Sequence, residues 1–527
     1  MKIKETQTSK KLRGGYYTPS NIAEYLWNYV KVGDPIRLLE PAAGDGALIE
    51  PINNPYLSID AVENQKDEAY KIEKNIQISN VKVYAEDFFY WFEQHKYNKY
   101  DAVLSNPPYI RYQYLTKKQR AVQSEVLTDN GMHPNRLINA WVAFVVASIS
   151  MLKDNGRIGL VIPSDLFQVT YAKELRQYML RNFVELNIIS FKKAVFPDTE
   201  QKFILLLGVK GQNNTKFKHV LVDDIDDLPD LNKVSYEPVP DNYEKWSDLV
   251  LPANDRKFLF DNKKDWIPFR NIASVEVGIT TGANSFFSLT QEQMKDLHCD
   301  NAVRPLLGRS VSVNGLFYNK HSLIKNAEDN QKVWLLDLNG QDYMNLSDQL
   351  KSYIAAAEKE NINAAYKLRI RDIWYKIPSI WVPQAFLLRR IGKLPKLVIN
   401  KIDAVSTDTF HRVRLIDNIN VNLLLIAFYS SLSLVYIELA GRSYGGGALE
   451  ILPGDSSQFK LPAINYKENI DLNKEIKHLD ALIKTDDINK ISHFCDKVLR
   501  EKLGYIFDNE QYEKILGHLQ QIRIKNK

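Results

Sequence analysis

The first half of the chain alternates short apolar runs with helical patterns, and this alternation restricts the possible folds more than any other feature. The helical spacing is clearest over residues 20–31 and 137–153, and most of the apolar runs lead into polar residues. Such alternation is typical of an α/β fold with a mainly parallel sheet. We therefore predict strands at 36–40, 57–63, 81–85, 100–105, 157–163 and 203–208.

The alternation fades after about residue 220, where the character of the sequence changes. The stretch 223–242 is rich in Asp and Pro, which predicts a linker or a surface excursion. Mixed, irregular strands and helices are expected over the following two hundred residues, and the last part is polar with helical spacing. We predict three segments: an α/β domain at 1–240, a mixed α+β region at 245–465 and a helical segment at 466–527.

Composition excludes several classes of protein. The only two cysteines, Cys299 and Cys495, have no metal-type spacing, so we predict neither a disulfide framework nor a metal site. The N-terminus lacks the apolar core of a secretory signal, and apolar stretches such as 140–152 are too short to span a bilayer. A net charge of +5 permits a nucleic-acid partner without requiring one. We expect a cytoplasmic protein with no membrane partner.

Polar residues follow the first three predicted strands. A turn containing Ala42, Gly44 and Gly46 begins at Glu40, and its glycines would allow a ligand to approach the backbone closely. Glu63 ends the next strand, where an acid can accept hydrogen bonds from both hydroxyls of a ribose. Because ligands of open α/β sheets bind beyond the carboxyl ends of the strands, these positions indicate a common site.

The third strand is followed by Asp87 and Phe88, an acid beside an aromatic residue. The acid can accept from an adenine amine, and the ring can stack on the base. A tight turn, a surface acid or a core aromatic would explain each strand end by itself. Taken together, the three strand ends favour a cofactor that contains a nucleoside.

The fourth strand leads into Asn106, Pro107, Pro108 and Tyr109, the most specific motif in the chain. A planar exocyclic amine is a poor nucleophile because its lone pair is delocalised into the ring. Two acceptors, the Asn106 side-chain oxygen and the Pro107 carbonyl, would favour a pyramidal nitrogen with a localised lone pair. The prolines hold these acceptors rigidly, and Tyr109 can stack on a base. The motif therefore predicts alkylation of a planar amine.

With these motifs in place, the first half resembles the class I S-adenosylmethionine-dependent methyltransferases, and within them the TaqI-like gamma-class DNA adenine-N6 methyltransferases. A Gly-Gly-Tyr-Tyr-Thr-Pro motif at 14–19 precedes the sheet, and the order of motifs is the gamma order. The run at 156–164 looks like the family's next strand, and Val-Phe-Pro at 195–197 precedes an apolar strand as in the family. The resemblance implies a Rossmann-like catalytic domain at 1–240 and a DNA-recognition region at 245–465.

The resemblance also implies roles for individual residues. Tyr17 and Thr18 belong to a motif that binds the cofactor, and Thr18 would contact its methionine part, near Glu40. The ribose would be held by Glu63 and the adenine by Asp87, and Asn106 would lie between cofactor and substrate. Phe196 would be a second aromatic against the flipped base, although a loop aromatic packed on the sheet is the alternative.

Reading a DNA sequence requires a second surface, which the C-terminal half would supply. A Gly-rich turn at 441–447 resembles a segment of TaqI-like recognition regions. Candidate contacts are Arg304, Arg309, Arg389 and Arg442, with Arg111 and Arg136 near the catalytic motif. For each of them, a solvated surface charge is the alternative. We expect double-stranded DNA as the partner, a monomeric enzyme, and any cognate restriction endonuclease to be a separate protein.

Two alternatives remain open from the sequence. The Asn-Pro-Pro-Tyr motif also occurs in methyltransferases that act on protein glutamine or on RNA guanine. A DNA-binding protein that kept the fold without turnover would show the same strand pattern. We see no acidic pair followed by Glu-x-Lys, so a fused nuclease is not expected.

Overall fold

The short apolar runs of the first half form strands of one sheet, as predicted. The computed structural model describes residues 18–76, 80–193, 202–212, 214–240, 245–443 and 447–524. The chain divides into two units, Met1–Arg256 and Lys257–Lys527. The strands of the first unit are β1 (Arg37–Glu40), β2 (Ser58–Val62), β3 (Val81–Tyr84), β4 (Tyr100–Ser105), β5 (Leu152–Pro163), β6 (Phe183–Phe191), β7 (Phe203–Lys210) and β8 (Lys216–Val222).

These strands lie in the order β3-β2-β1-β4-β5-β7-β6-β8. Pairing is parallel from β3 through β5 and between β6 and β8, whereas β7 runs antiparallel to both of its neighbours. The mainly parallel sheet of the α/β prediction is therefore confirmed. The helices of this unit are α1 (Ser20–Val30), α2 (Lys66–Asn75), α3 (Phe88–His95), α4 (Lys117–Asp129), α5 (Ala140–Met151) and α6 (Lys173–Asn182).

Side chains of successive strand residues enter two different cores. Leu38 packs in a cluster with Leu26 of α1, whereas Leu39 packs in a cluster with Trp141 of α5. Because strand side chains alternate between the faces of a sheet, both faces of the central strands are covered. Helix α5 is apolar all round and almost entirely buried, which is the pattern of a core helix.

One buried charge joins four neighbouring strands at one side of the sheet. Asp60 of β2 accepts hydrogen bonds from Tyr100 of β4 at 2.6 Å and from Arg37 of β1 at 3.2 Å. Tyr84 of β3 donates to the same carboxylate at 3.4 Å. A buried carboxylate is tolerated only when it is paired in this way, so four adjacent strands share one polar contact.

The Asp- and Pro-rich stretch after β8 is a surface excursion of the first unit rather than a linker. In its described part, the Pro229 carbonyl accepts from the hydroxyl of Tyr25 at 2.7 Å, and the Ile225 carbonyl accepts from Asn21 at 3.1 Å. Both donors lie on α1. The chain passes from one unit to the next within α7 (Ala253–Asp261), later than the predicted end of the α/β domain at residue 240.

The second unit contains several small sheets. The largest has the order β10-β19-β15-β17-β13, and the others are β11-β14-β12-β18, β16-β21-β20 and β22-β9. The strands are β9 (Trp266–Pro268), β10 (Ala273–Glu276), β11 (Ser288–Leu289), β12 (Val303–Leu307), β13 (Phe317–Tyr318), β14 (Trp334–Leu336), β15 (Ala385–Leu388), β16 (Arg390–Ile391), β17 (Leu397–Asn400), β18 (Val405–Ser406), β19 (Phe410–Leu415), β20 (Arg442–Ser443), β21 (Leu449–Glu450) and β22 (Lys460–Pro462).

The C-terminal helices belong to this second unit, so the segment predicted at 466–527 is not separate from it. Arg523 of the last helix forms an ion pair with the buried Glu438 at 3.0 Å. The helices are α8 (Asn284–Phe287), α9 (Gln291–Asp296), α10 (Lys320–Glu328), α11 (Asp348–Lys359), α12 (Tyr366–Arg369), α13 (Val421–Phe428), α14 (Ser431–Ala440), α15 (Asn473–Ile483), α16 (Ile488–Leu503) and α17 (Asn509–Ile524).

In the part of the chain that the structure describes, no single helix has the length and apolarity needed to cross a membrane. The bent pair α13 and α14 meets the criterion only when the two helices are combined, and only by length and composition.

We expect Gly208→Ala to destabilise the first unit. An added Cβ on Gly208 of β7 would lie 2.7 Å from a ring carbon of Phe183, which is fully buried. Overpacking of this kind costs about 1–3 kcal/mol of unfolding free energy. Chemical denaturation followed by circular dichroism measures the loss.

Gly340→Ala is the matched control, because a Cβ there would meet no heavy atom within 4 Å. Combining Gly208→Ala with Phe183→Leu should cost less than the sum of the two single changes. Strict additivity would contradict the proposed clash.

Candidate active site

Three polar residues meet at one edge of the sheet because of how β2, β1 and β4 pair. Glu40 is the last residue of β1, Glu63 follows β2, and Asn106 follows β4. The three strands are adjacent and parallel, so their carboxyl ends lie side by side. The structure thus brings together the strand-end residues that the sequence singled out.

Glu40 is fully buried, and one of its carboxylate oxygens is unsatisfied. Oε1 accepts from the backbone N–H of Ala42 at 3.3 Å, whereas Oε2 has no hydrogen-bond partner. Burial raises the pKa of Glu40 well above its ordinary value, although the Ala42 N–H and the Ser105 hydroxyl oppose the shift. A buried acid with an open acceptor fits a cationic ligand group, since unpaired buried charge is costly.

The Gly-rich turn is joined to the end of β2 by Glu63. One oxygen of this carboxylate accepts from the Gly44 N–H at 2.8 Å, and the other accepts from the Gln65 N–H at 2.6 Å. Gly44 has φ +58° and Gly46 has φ +90°, a left-handed conformation that favours glycine. At Gly46 an added Cβ would also lie 2.8 Å from a side-chain carbon of Ile76. Partial burial raises the pKa of Glu63.

Asp87 and Phe88 occupy the start of α3 and differ in their exposure to the site. Asp87 is the N-cap, where one oxygen accepts from the Phe89 N–H at 3.0 Å and the other from Gln119 at 2.7 Å. Phe88 is only 3% exposed, and its ring stacks on Phe144 at 4.7 Å. The prediction that the Phe88 ring stacks on a cofactor base is therefore wrong: the ring belongs to the core.

Asn106 is oriented by hydrogen bonds at both ends of its amide. Its Nδ2 donates to the Thr18 hydroxyl at 3.2 Å, although the two residues are 88 positions apart. Its Oδ1 accepts from the Tyr109 hydroxyl at 2.8 Å. The nitrogen is thereby directed to a buried threonine, and the oxygen to the hydroxyl of Tyr109.

The Tyr109 hydroxyl has a second acceptor, the Val161 carbonyl of β5, at 2.9 Å. One O–H cannot make two full hydrogen bonds at once, so it can be directed to either oxygen. The half-buried Tyr109 ring also lies 5.1 Å from the ring of Phe203, tilted by 49°. No sequence pattern could identify Val161, because it contributes only a backbone carbonyl.

Other predicted site residues are placed as follows. Ala42 is half-buried beside the core, Pro107 is buried, and Pro108 is half-buried. Tyr17 and Phe196 lie outside the described residues, as does part of the Gly-rich turn near Arg442.

The predicted DNA-contacting arginines fall into two groups. Arg111, Arg136 and Arg309 are exposed. Arg304 is also exposed, but like the half-buried Arg389 and Arg442 it is paired with a carboxylate of its own unit. The pairs are Arg304–Asp337 at 2.5 Å, Arg389–Glu450 at 2.9 Å and Arg442–Asp455 at 3.4 Å.

Two families match consecutive parts of the chain. Residues 48–196 match the family described as Eco57I restriction-modification methylase. Residues 243–500 match the family described as Type II methyltransferase M.Eco57I, C-terminal domain. These matches identify a DNA methyltransferase of the restriction-modification type. The methylase match also supports S-adenosylmethionine as the cofactor, which agrees with the open acceptor of Glu40, because that cofactor carries an ammonium group.

Individual proteins similar to this chain are also restriction-modification methyltransferases or enzymes. The type II methyltransferase M.AccI of Acinetobacter calcoaceticus is 24% identical over 529 residues, 92% of this chain and 93% of that protein. M.HindII of Haemophilus influenzae is 25% identical over 324 residues, 56% of this chain and 59% of that protein. The solved type IIL restriction-modification enzyme MmeI in complex with DNA shares the fold, with a TM-score of 0.57 at 10% identity, covering 97% of this chain and 80% of that chain.

We expect Thr18→Val to slow methyl transfer about fivefold at saturating S-adenosylmethionine. Valine keeps the shape of threonine but cannot accept from Asn106, so the amide loses a hydrogen bond worth about 1 kcal/mol. Single-turnover rates at saturating cofactor measure the loss.

Thr18→Ser should restore most of the rate, and Thr128→Val, at an exposed position of α4, is the control. An unchanged rate at saturating S-adenosylmethionine would show that Thr18 acts only through its contact with the cofactor.

We also expect the methyltransferase to bind S-adenosylmethionine more tightly as pH rises through the raised pKa of Glu40. The protonated carboxyl cannot pair with an ammonium group, whereas the carboxylate can. Calorimetric titrations at a series of pH values measure the trend.

Glu40→Gln should weaken binding and remove this part of the pH dependence, whereas Glu50→Gln, at an exposed position, should not. An unchanged pH profile in Glu40→Gln would contradict the assignment.

Proposed function

We propose that this methyltransferase transfers a methyl group from S-adenosylmethionine to the exocyclic amine of an adenine that is flipped out of duplex DNA. The orientation of the Asn106 amide carries the proposal. Because its nitrogen donates to Thr18, its oxygen is the atom presented to a substrate, and an oxygen is what an amine requires.

Asn106 Oδ1 and the Pro107 carbonyl would accept the two hydrogens of the amine. Accepting both hydrogens favours a pyramidal nitrogen whose lone pair is free to attack. Pro107 lacks an N–H and has a restricted φ, so its carbonyl is held in place. No strong base is required, because the nitrogen becomes acidic once it is alkylated. Catalysis then depends on positioning and electrostatics.

Tyr109 can release the Asn106 oxygen without losing a hydrogen bond. Its hydroxyl lies within hydrogen-bond distance of both Asn106 Oδ1 and the Val161 carbonyl. As a base enters, the hydroxyl can turn fully to Val161 and leave Oδ1 to the amine. The rings of Tyr109 and Phe196 would stack on the base and offset the few kcal/mol that flipping costs.

S-adenosylmethionine supplies an electrophilic methyl group on a sulfonium centre. In this proposal Glu40 pairs with the ammonium of its methionine part, in the region of Tyr17 and Thr18. Glu63 accepts from the ribose, the turn of Ala42, Gly44 and Gly46 allows close approach, and Asp87 accepts from the adenine. Phe88 has no stacking role, because its ring is buried.

The two family matches support different roles for two parts of the chain. The first unit would carry out the chemistry, and residues 245–465 would recognise the target sequence. Arg111, Arg136 and Arg309, all exposed, are the predicted arginines best placed to contact DNA. We further propose that the chain acts as a monomer and that a cognate restriction endonuclease, where one exists, is a separate protein.

We expect Asn106→Ala to reduce methyl transfer by about 100- to 1,000-fold while cofactor affinity is retained, since one polar contact to the reacting centre is lost. The assay compares radiolabelled transfer to adenine-bearing duplex DNA, ribosomal RNA and a glutamine-containing release factor. Asn80→Ala, at an exposed position, is the control.

Sequencing of modified bases in DNA from cells that express the protein would identify the base and its context. Methylation of cytosine, or of RNA or protein alone, would refute the proposal.

A further inference from the structure

We propose that residues 366–376 of the second unit, termed here the anchored basic segment, contact the phosphate backbone of duplex DNA. This inference rests on the proposed function, because it assumes that duplex DNA is the substrate. The sequence of the segment, Tyr-Lys-Leu-Arg-Ile-Arg-Asp-Ile-Trp-Tyr-Lys, contains four cations and one carboxylate. Much of it lies outside regular secondary structure, since α12 ends at Arg369.

Buried side chains fix the backbone of the segment. Leu368 is fully buried in the core of the second unit. The Arg371 guanidinium donates to the carbonyls of Thr281 at 2.6 Å and Thr280 at 3.2 Å, and to that of Trp374 at 3.1 Å. Arg371 therefore holds the backbone of the segment in place, and we do not assign it a DNA contact.

Two further contacts complete the anchoring. Gly282, at φ +82°, lies so close that an added Cβ would meet side-chain carbons of Lys367 and Leu368 at 3.1 Å. Trp374 donates from its indole nitrogen to Glu358 at 2.8 Å, and its ring lies 4.9 Å from that of Phe286. The segment is thus preorganised, which reduces the entropy lost on binding.

The residues between the anchors point to solvent. Tyr366 is 69% exposed and Ile370 is 64% exposed. Lys367 and Arg369 are also exposed, and neither takes part in the ion pairs of the described residues. Exposed apolar groups beside unneutralised cations fit a sugar-phosphate backbone, which presents apolar sugars and anionic oxygens together.

Three of the six arginines predicted from the sequence to contact DNA differ in this respect. Arg304, Arg389 and Arg442 are each held by a carboxylate, which cancels much of their attraction for a polyanion. Charge complementarity therefore favours Lys367 and Arg369 over these residues.

The test is a Lys367→Gln/Arg369→Gln double variant in the full-length protein, titrated with fluorescent duplex DNA by anisotropy at several salt concentrations. Each lost phosphate contact should reduce the slope of log affinity against log salt by about 0.9. We expect a reduction of about 1.8 for the pair, and by the same relation about 30-fold weaker binding at 0.15 M salt. The affinity for S-adenosylmethionine should not change.

Lys320→Gln/Lys325→Gln, two exposed lysines of α10, makes the same change in net charge and should leave the slope unchanged. The charge-preserving Lys367→Arg/Arg369→Lys should bind nearly as the parent protein does. An unchanged slope and affinity in the Gln variant, or an equal loss in the α10 control, would overturn this inference alone. Failure of the parent protein to bind duplex DNA would instead overturn the proposed function.

Discussion

Parallel pairing of β1 with both β2 and β4 is the constraint on which the candidate active site depends. It places Glu40, Glu63 and Asn106 at one edge of the sheet although they are far apart in sequence. The same strands bury their apolar side chains on both faces, with Leu38 and Leu39 in different cores. Slippage of one strand would therefore both expose core residues and separate the polar ones. Stability and chemistry impose the same register here.

Much of the first unit could be predicted because its signals are local. An apolar run of four to six residues followed by a polar one predicts a strand and a polar residue at its end together. The predictions for β1, β2 and β4 agree with the observed bounds to within one residue. The link between Thr18 and Asn106 could not be found this way, since it joins residues 88 apart. Phe88 shows a second limit of local patterns. An aromatic residue after a strand end gives the same sequence pattern whether its ring faces a ligand or the core.

The cations of the second unit show why its proposed DNA contacts are harder to predict from sequence than the strand ends of the first unit. A lone arginine in a sequence does not reveal whether a carboxylate will neutralise it. Arg389 and Arg442 meet Glu450 and Asp455, which come from other parts of the fold. Whether a lysine or arginine side chain is exposed, and whether a carboxylate pairs with it, depends on the tertiary structure. A stretch rich in these residues therefore predicts a DNA contact only when the neighbouring side chains are known.

The two acceptors of the Tyr109 hydroxyl have a consequence for admitting a substrate. A polar pocket usually has to strip a bound water or break an internal contact before a ligand can enter, and that desolvation raises the barrier to entry. Here a rotation of one O–H exchanges an amide oxygen for a backbone carbonyl at nearly equal distance, 2.8 Å against 2.9 Å. The protein's own contribution to the entry barrier is therefore small, and in the proposed reaction the stacking that the DNA duplex gives up would dominate that barrier.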